Sequence, residues 1–266
     1  MTVPADTTAD RRRLRGGQVS AWLAPVVLGV LVLVVWQVIV VAASVPTFLL
    51  PTPTAIAEQF VAQFPVILST ASVTGGNALV GLIAGFLVGL LLALLAASSR
   101  LVAELTTPVV LAASAVPIVA LAPVFTTMFG STTEIPRQLV VTVVVIVPVF
   151  VAASRGLRAV APVHGDLMTS LAASPWQRAR FVRLPGAVPF VMTGLRLAAP
   201  AAVIASVVAE YFGGLQNGLG SRITSAAANT AYARAWAFVV ASIALGLLFH
   251  FGGTLVERLV TRGRPA

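Results

Sequence analysis

The stretch "GLIAGFLVGLLLALLAA", Gly81–Ala97, contains glycine and apolar residues only. Extended back to Thr74 it exceeds the ~20 residues that an α-helix needs to cross a ~30 Å hydrocarbon core. Its glycines Gly81, Gly85 and Gly89 recur every fourth residue, a small-xxx-small face that lets two helices approach closely. Such a face serves packing within the subunit or across a dimer.

Five further runs of this kind lie outward from it: Ala21–Val41, Leu105–Phe129, Gln138–Ser154, Val188–Phe212 and Ala235–Leu255. Together they predict an all-α membrane protein with six transmembrane helices. The transmembrane domain covers 21–258, between a polar N-terminal segment, 1–20, expected to be disordered and cytoplasmic, and a cytoplasmic tail, 259–266. The third run contains Pro108, Pro117 and Pro123, so a kinked or broken helix is expected there. Only 9% of the 266 residues are charged, against about 25% in soluble domains.

All seventeen basic residues are arginine, and there is no cysteine. A P-loop needs a Gly-Lys-Ser/Thr turn on the nucleotide phosphates, so any ATP hydrolysis belongs to another chain. No cofactor or metal site is predicted: His164 and His250 are too few and too far apart. The formal charge of +9 reads as arginines held on the cytoplasmic side of a membrane rather than as a nucleic-acid surface. With the N-terminus inside, only Arg137, Arg222 and Arg234 fall on the outer side. Both termini and the 156–189 connection are then cytoplasmic.

That connection is not linker-like. "DLMTSLAASPWQRARFVRLPGAVP", Asp166–Pro189, carries helix punctuation. A first short helix is expected over His164–Ala173, with Asp166 near its positive end. Ser174-Pro175 then restarts the chain, serine as N-cap and proline in the first turn. A second short helix follows over Trp176–Leu184, and Pro185 is expected to end it. Its arginines and aromatics suit either lipid headgroups or a protein partner.

This segment resembles the EAA loop of ABC importer permeases, which opens on Glu/Asp-Ala-Ala, has a glycine six residues on, and closes on a hydrophobic residue, any residue, then Leu-Pro. Asp166 matches the acid, Val182 the hydrophobic residue, and Leu184-Pro185 the closing pair. "DLM" replaces the acid-Ala-Ala opening. Ala172 stands at the glycine position, so the corner there either avoids positive φ or carries strain. "VWQVIVVAASVPTFLLPTP", "PVVLAASAVPIVALAPVFTTMFG", "AEYFGGLQNGLGSRI" and "LVERLVTRGR" resemble permeases of the nitrate/sulfonate/taurine type. Asn77 departs from them, where arginine is common.

The resemblance implies the type I ABC importer (MetI-like) permease fold in the inner membrane of a bacterium. It also implies partners: two copies of an ABC ATPase subunit, a periplasmic or lipid-anchored solute-binding protein, a second permease subunit (identical or a related paralogue) and membrane lipid. The expected ATPase-coupling residues are Asp166, Leu167, Ala172, Ala173, Ser174, Trp176, Gln177, Leu184 and Pro185. The residues themselves offer two weaker candidates for a substrate path. Glu210 is an ionisable group near the outer end of a span, or a carboxylate that reaches water past Tyr211. Asn77 serves the path or an interhelical hydrogen bond. Arg196 is expected to reach the cytoplasmic headgroups. An ion-coupled secondary transporter would show internal repeats and more intramembrane acids. An embedded enzyme would show a catalytic motif, and none is present.

Overall fold

The computed structural model describes residues 8–262, with side chains from residue 23 onward. Every element among them is helical: α1 Thr8–Ala42, α2 Pro53–Ala62, α3 Phe64–Ser98, α4 Arg100–Ala113, α5 Ile118–Phe129, α6 Ile135–Arg158, α7 Pro162–Ser170, α8 Pro175–Arg178, a π-turn Ala179–Arg183, α9 Leu184–Tyr211, α10 Leu219–Ala228 and α11 Tyr232–Thr261. Five helical segments are long and apolar enough to cross a membrane, and α4 with α5 makes a sixth if the bent pair counts as one.

The core is the packing of α3, α6 and α9. It is built from small and β-branched residues, among them Ala78, Val141, Val145, Val149, Ala198 and Ala202. The glycine face of α3 sits on α6 within the subunit. A Cβ on Gly85 would lie 2.6 Å from both the Thr142 carbonyl oxygen and Val145 Cβ. One on Gly89 would lie 2.8 Å from the Ile146 carbonyl oxygen. Gly156 and Gly194 give α6 and α9 the same closeness, against Phe190 and Ala152. Close backbones maximise dispersion contact, which drives helix association where lipid removes the hydrophobic driving force.

The helix α1 stands apart. Its described side chains are almost all exposed. It touches the bundle through Trp36, edge-on to Trp236 at 5.8 Å, and through Gln37, which accepts the Thr54 N–H at 3.3 Å. It also reaches back to Thr8 through residues expected to be disordered; residues 1–7, and 263–266 of the expected tail, lie outside the described ones.

One local expectation sharpens and two change. The third run is broken rather than merely kinked: α4 and α5 meet at 95°. Pro117, with φ −67° and ψ 122°, begins the new direction, while Pro108 and Pro123 lie inside the two halves. Pro185 does not stop a helix. Leu184 N–H bonds to the Ala179 carbonyl, five residues back. The extra residue in this π-turn takes up the register change that the ring of Pro185 would otherwise force, and one helical path runs from Pro175 to Tyr211. Finally, α7 begins at Pro162, which moves Asp166 into its second turn, away from the positive end of the helix.

Candidate functional site: an exposed loop and a buried polar end

The loop is two short helices joined by a corner closed from both sides. At the end of α7, Ala172 N–H bonds to the Thr169 carbonyl at 3.0 Å and Ala173 N–H to the Met168 carbonyl at 2.9 Å. This is the Schellman pattern, whose turning residue is usually glycine. Ala172 holds that position at φ +49°, so of the two readings of the missing glycine, strain is the one observed. On the other side, Ser174 Oγ accepts the Gln177 N–H at 3.3 Å, and Gln177 Oε1 accepts the Ser174 N–H at 2.7 Å. That is a capping box. Arg178 Nε donates to the Ala173 carbonyl at 3.1 Å.

On this stiff corner the apolar side chains point away from the protein. Trp176 is 67% exposed, and Leu167, Leu171 and Phe181 are exposed as well. Asp166, Ala172, Ser174, Gln177, Leu184 and Pro185 are also exposed, and Ala173 is half-buried. The nine loop residues singled out in the sequence therefore lie along one continuous stretch with no core behind most of them. At the same end, Arg196 pairs with Glu257 at 3.0 Å, and Thr193 Oγ1 donates to Glu257 at 2.8 Å. Arg196 is thus tied to α11 rather than reaching for headgroups.

The opposite end of the bundle is organised the other way. Glu210 is 1% exposed, so it does not reach water past Tyr211. Its carboxylate accepts Thr74 Oγ1 at 2.9 Å and the Gly220 N–H at 2.7 Å. Thr74 Oγ1 in turn accepts the Leu219 N–H at 2.9 Å. The first backbone donors of α10 are therefore satisfied from α9 and α3, which is capping in trans. Both flanking glycines are required: a Cβ on Gly218 would fall onto the Glu210 carboxylate, and one on Gly220 onto the Val207 carbonyl.

Next to it, Glu134 and Arg137 at the start of α6 pair at 2.8 Å, with the Arg137 side chain only 4% exposed. Arg137 also donates to Asn217 Oδ1 at 2.8 Å and to the Leu215 carbonyl. Glu134 accepts from Asn77 and from Asn217, each at 2.7 Å. Gln138 donates to Asn77 Oδ1 at 3.1 Å. Asn77, 3% exposed, thus makes the interhelical hydrogen bond. Burial alone would push the Glu134 carboxyl up, but the hydrogen bonds from Asn217 and Asn77 and the Arg137 charge hold it below the ordinary value. Sequence reasoning missed Thr74, Glu134, Arg137 and Asn217. The Glu-x-x-Arg spacing at a helix start was the available signal.

A bundle of short-loop transmembrane helices with a structured helical loop before its penultimate span is the architecture of type I ABC importer permeases. The methionine ABC transporter MetNI has a chain of this shape: TM-score 0.64 at 19% identity, over 76% of this chain and 99% of that one. The chain belongs to the family of binding-protein-dependent transport system inner membrane components, which matches residues 85–262. A probable ABC transporter permease protein of Haemophilus influenzae is 30% identical over 230 residues, 86% of this chain and 93% of that protein. ThiX, a formylaminopyrimidine transport permease protein of Halalkalibacterium halodurans, is 30% identical over 209 residues, 74% and 78% of the two chains. SsuC, the Bacillus subtilis permease protein named for aliphatic sulfonates transport, is 25% identical over 269 residues, 99% and 95%. The protein is therefore a multi-pass membrane permease subunit of an ABC importer.

Proposed function

We propose that the exposed loop, Pro162–Pro185, is the docking element for a separate ATPase subunit, and that ATP-driven closure of two such subunits is transmitted through it to the spans. One observation carries this reading: Trp176 and its apolar neighbours are held away from the bundle by a corner locked with a Schellman motif and a capping box. Exposed aromatic side chains on a rigid support are what a partner groove recognises. The continuous helical path from Pro175 into α9 makes a rigid lever from that contact to the transmembrane core. On this reading the loop and both termini are cytoplasmic, as the arginine distribution favours.

The solute is a small polar or anionic organic molecule delivered by an external solute-binding protein, and a second permease, identical or paralogous, completes the pathway. The chemistry of formylaminopyrimidine and of aliphatic sulfonates, for which two of the relatives are named, falls in that range. Glu210 and Asn77 serve this transport indirectly. With their acceptors and donors taken up internally, they anchor the outer loop and α10 rather than contact the solute.

The test is co-purification of the ATPase with full-length permease. Trp176→Glu should abolish it while membrane insertion and thermal stability stay within about 0.5 kcal/mol of the parent, as for an exposed side chain. Retained ATPase and undiminished uptake in that variant would refute the loop reading.

A further inference from the structure

A cavity of about 1040 Å³ lies beside the loop and shares Arg183 with it. It lies between the last turn of α3, α4 from Arg100 to Leu111, the end of α6 and Arg183. Its wall is mostly apolar, from Ala96, Ala103, Pro108, Leu111 and Leu157, with the hydroxyls of Ser98, Ser99 and Thr107 among them. Its rim carries Arg100, Arg158 and Arg183 with a single acid, Glu104. Glu104 is occupied by Arg100 at 2.8 Å. Arg158 and Arg183 are exposed and in no ion pair among the described residues. Next to the opening, Leu101, Leu105 and Val109 of α4 are exposed, so apolar surface continues outward from the cavity.

A soluble anion would use the rim and leave the wall empty. A neutral lipid would use the wall and leave two guanidinium groups unanswered. An amphiphile with an anionic head fits both, and basic pockets between transmembrane helices on the cytoplasmic side suit such headgroups. We propose that this cavity binds an anionic phospholipid. Arg158 and Arg183 hold the phosphate, and the acyl chains run along α4 past Leu101, Leu105 and Val109. Because Arg183 closes the π-turn that joins the loop to α9, the headgroup is also seated against the lever described above. The lipid site does not depend on ATPase docking; it rests on the membrane fold and on the rim charge.

The experiment is native mass spectrometry of the full-length permease in mild detergent, titrated with phosphatidylglycerol or phosphatidylcholine. The parent protein should prefer phosphatidylglycerol by ~5-fold or more, the worth of about one well-placed arginine near a membrane surface. The double variant Arg158→Gln/Arg183→Gln should lose that preference. Arg222→Gln/Arg234→Gln, which removes the same charge elsewhere, should keep it. Ala103→Trp fills the wall without touching the charge and should weaken both lipids, a result that stands even if the double arginine variant fails to fold. Equal affinity for the two lipids in the parent protein overturns the proposal, as does a preference that survives loss of both arginines. Inorganic phosphate bound with the same arginine dependence, and no lipid retained, assigns the rim to a soluble anion and overturns it equally.

Discussion

The two ends of the bundle use polar chemistry in opposite ways. At the loop end the backbone is tied down by its own caps while the apolar side chains, Trp176 foremost, are left exposed. At the opposite end, Glu210, Asn77 and Arg137 are almost wholly buried and their hydrogen bonds are taken up by neighbouring helices and by the 213–220 segment. A substitution at the first end should therefore change what the protein binds and hardly change its stability. A substitution at the second should do the reverse. The buried polar network and the exposed apolar side chains of the loop are separated by the length of the spans.

The largest effect that could break this comparison is Glu210→Ala. It removes the acceptor for Thr74 Oγ1–H and for Gly220 N–H, and buried donors left without partners cost ~1–3 kcal/mol each. We expect a loss of about 2–5 kcal/mol in thermal or denaturant unfolding in detergent, and faster proteolysis of the 213–231 segment. Glu210→Gln should recover part of this, since its carbonyl can still accept the Gly220 N–H. A shift under ~1 kcal/mol for the alanine variant would mean that the Glu210 end is not locked by these hydrogen bonds. Arg137→Met comes next, at about 2 kcal/mol, for the loss of charge-assisted hydrogen bonds to Glu134, Asn217 and Leu215. ATPase co-purification should survive in detergent-stable preparations of either variant. Its loss in a folded Arg137→Met protein would show that the two ends are coupled rather than separate.

The sequence made some of this legible and hid the rest for physical reasons. Spans are visible because the bilayer demands ~20 apolar residues in a row, and the Ser174-Pro175 restart because caps are local. The continuous path through Pro185 was hidden: a proline reads as a stop unless a π-turn absorbs it, and that turn has no residue signature. The broken third span was half visible. Three prolines announced a disturbance, but only Pro117 marks the bend. The Arg137 cluster could not be seen, because Arg137 and Asn217 stand 80 residues apart and an outer arginine read as loop charge. Glu210 was visible as an oddity, yet its partners Thr74 and Gly220 come from different elements.

A smaller effect comes from acid. The Glu134 carboxyl is held below its ordinary value of 4.5 in the folded protein. A carboxyl depressed by folding contributes stability that is complete above its unfolded value and is lost as pH falls through the folded one. Unfolding temperatures should therefore be flat from neutrality down to about pH 5 and should decline below 4.5. Glu134→Gln should flatten that decline. An unchanged acid limb in the variant would remove Glu134 from the account.

The smallest effect sharpens the comparison from the loop end. Ala172 occupies the left-handed region at φ +49°, where an L-residue with a Cβ pays roughly 1 kcal/mol that glycine does not. Ala172→Gly relieves this strain but also frees the unfolded chain, which offsets part of the gain. The net expectation is a stabilisation of at most a few tenths of a kcal/mol, local to the α7–α8 corner. Hydrogen exchange should show it as slower exchange of the Ala173 amide, which closes the Schellman pattern with Met168. ATPase affinity should be unchanged or improved, because the corner geometry is retained and becomes easier to hold. Faster exchange at Ala173 would mean that the methyl of Ala172 itself supports the corner. The residue at the glycine position would then be adapted to its place rather than strained in it.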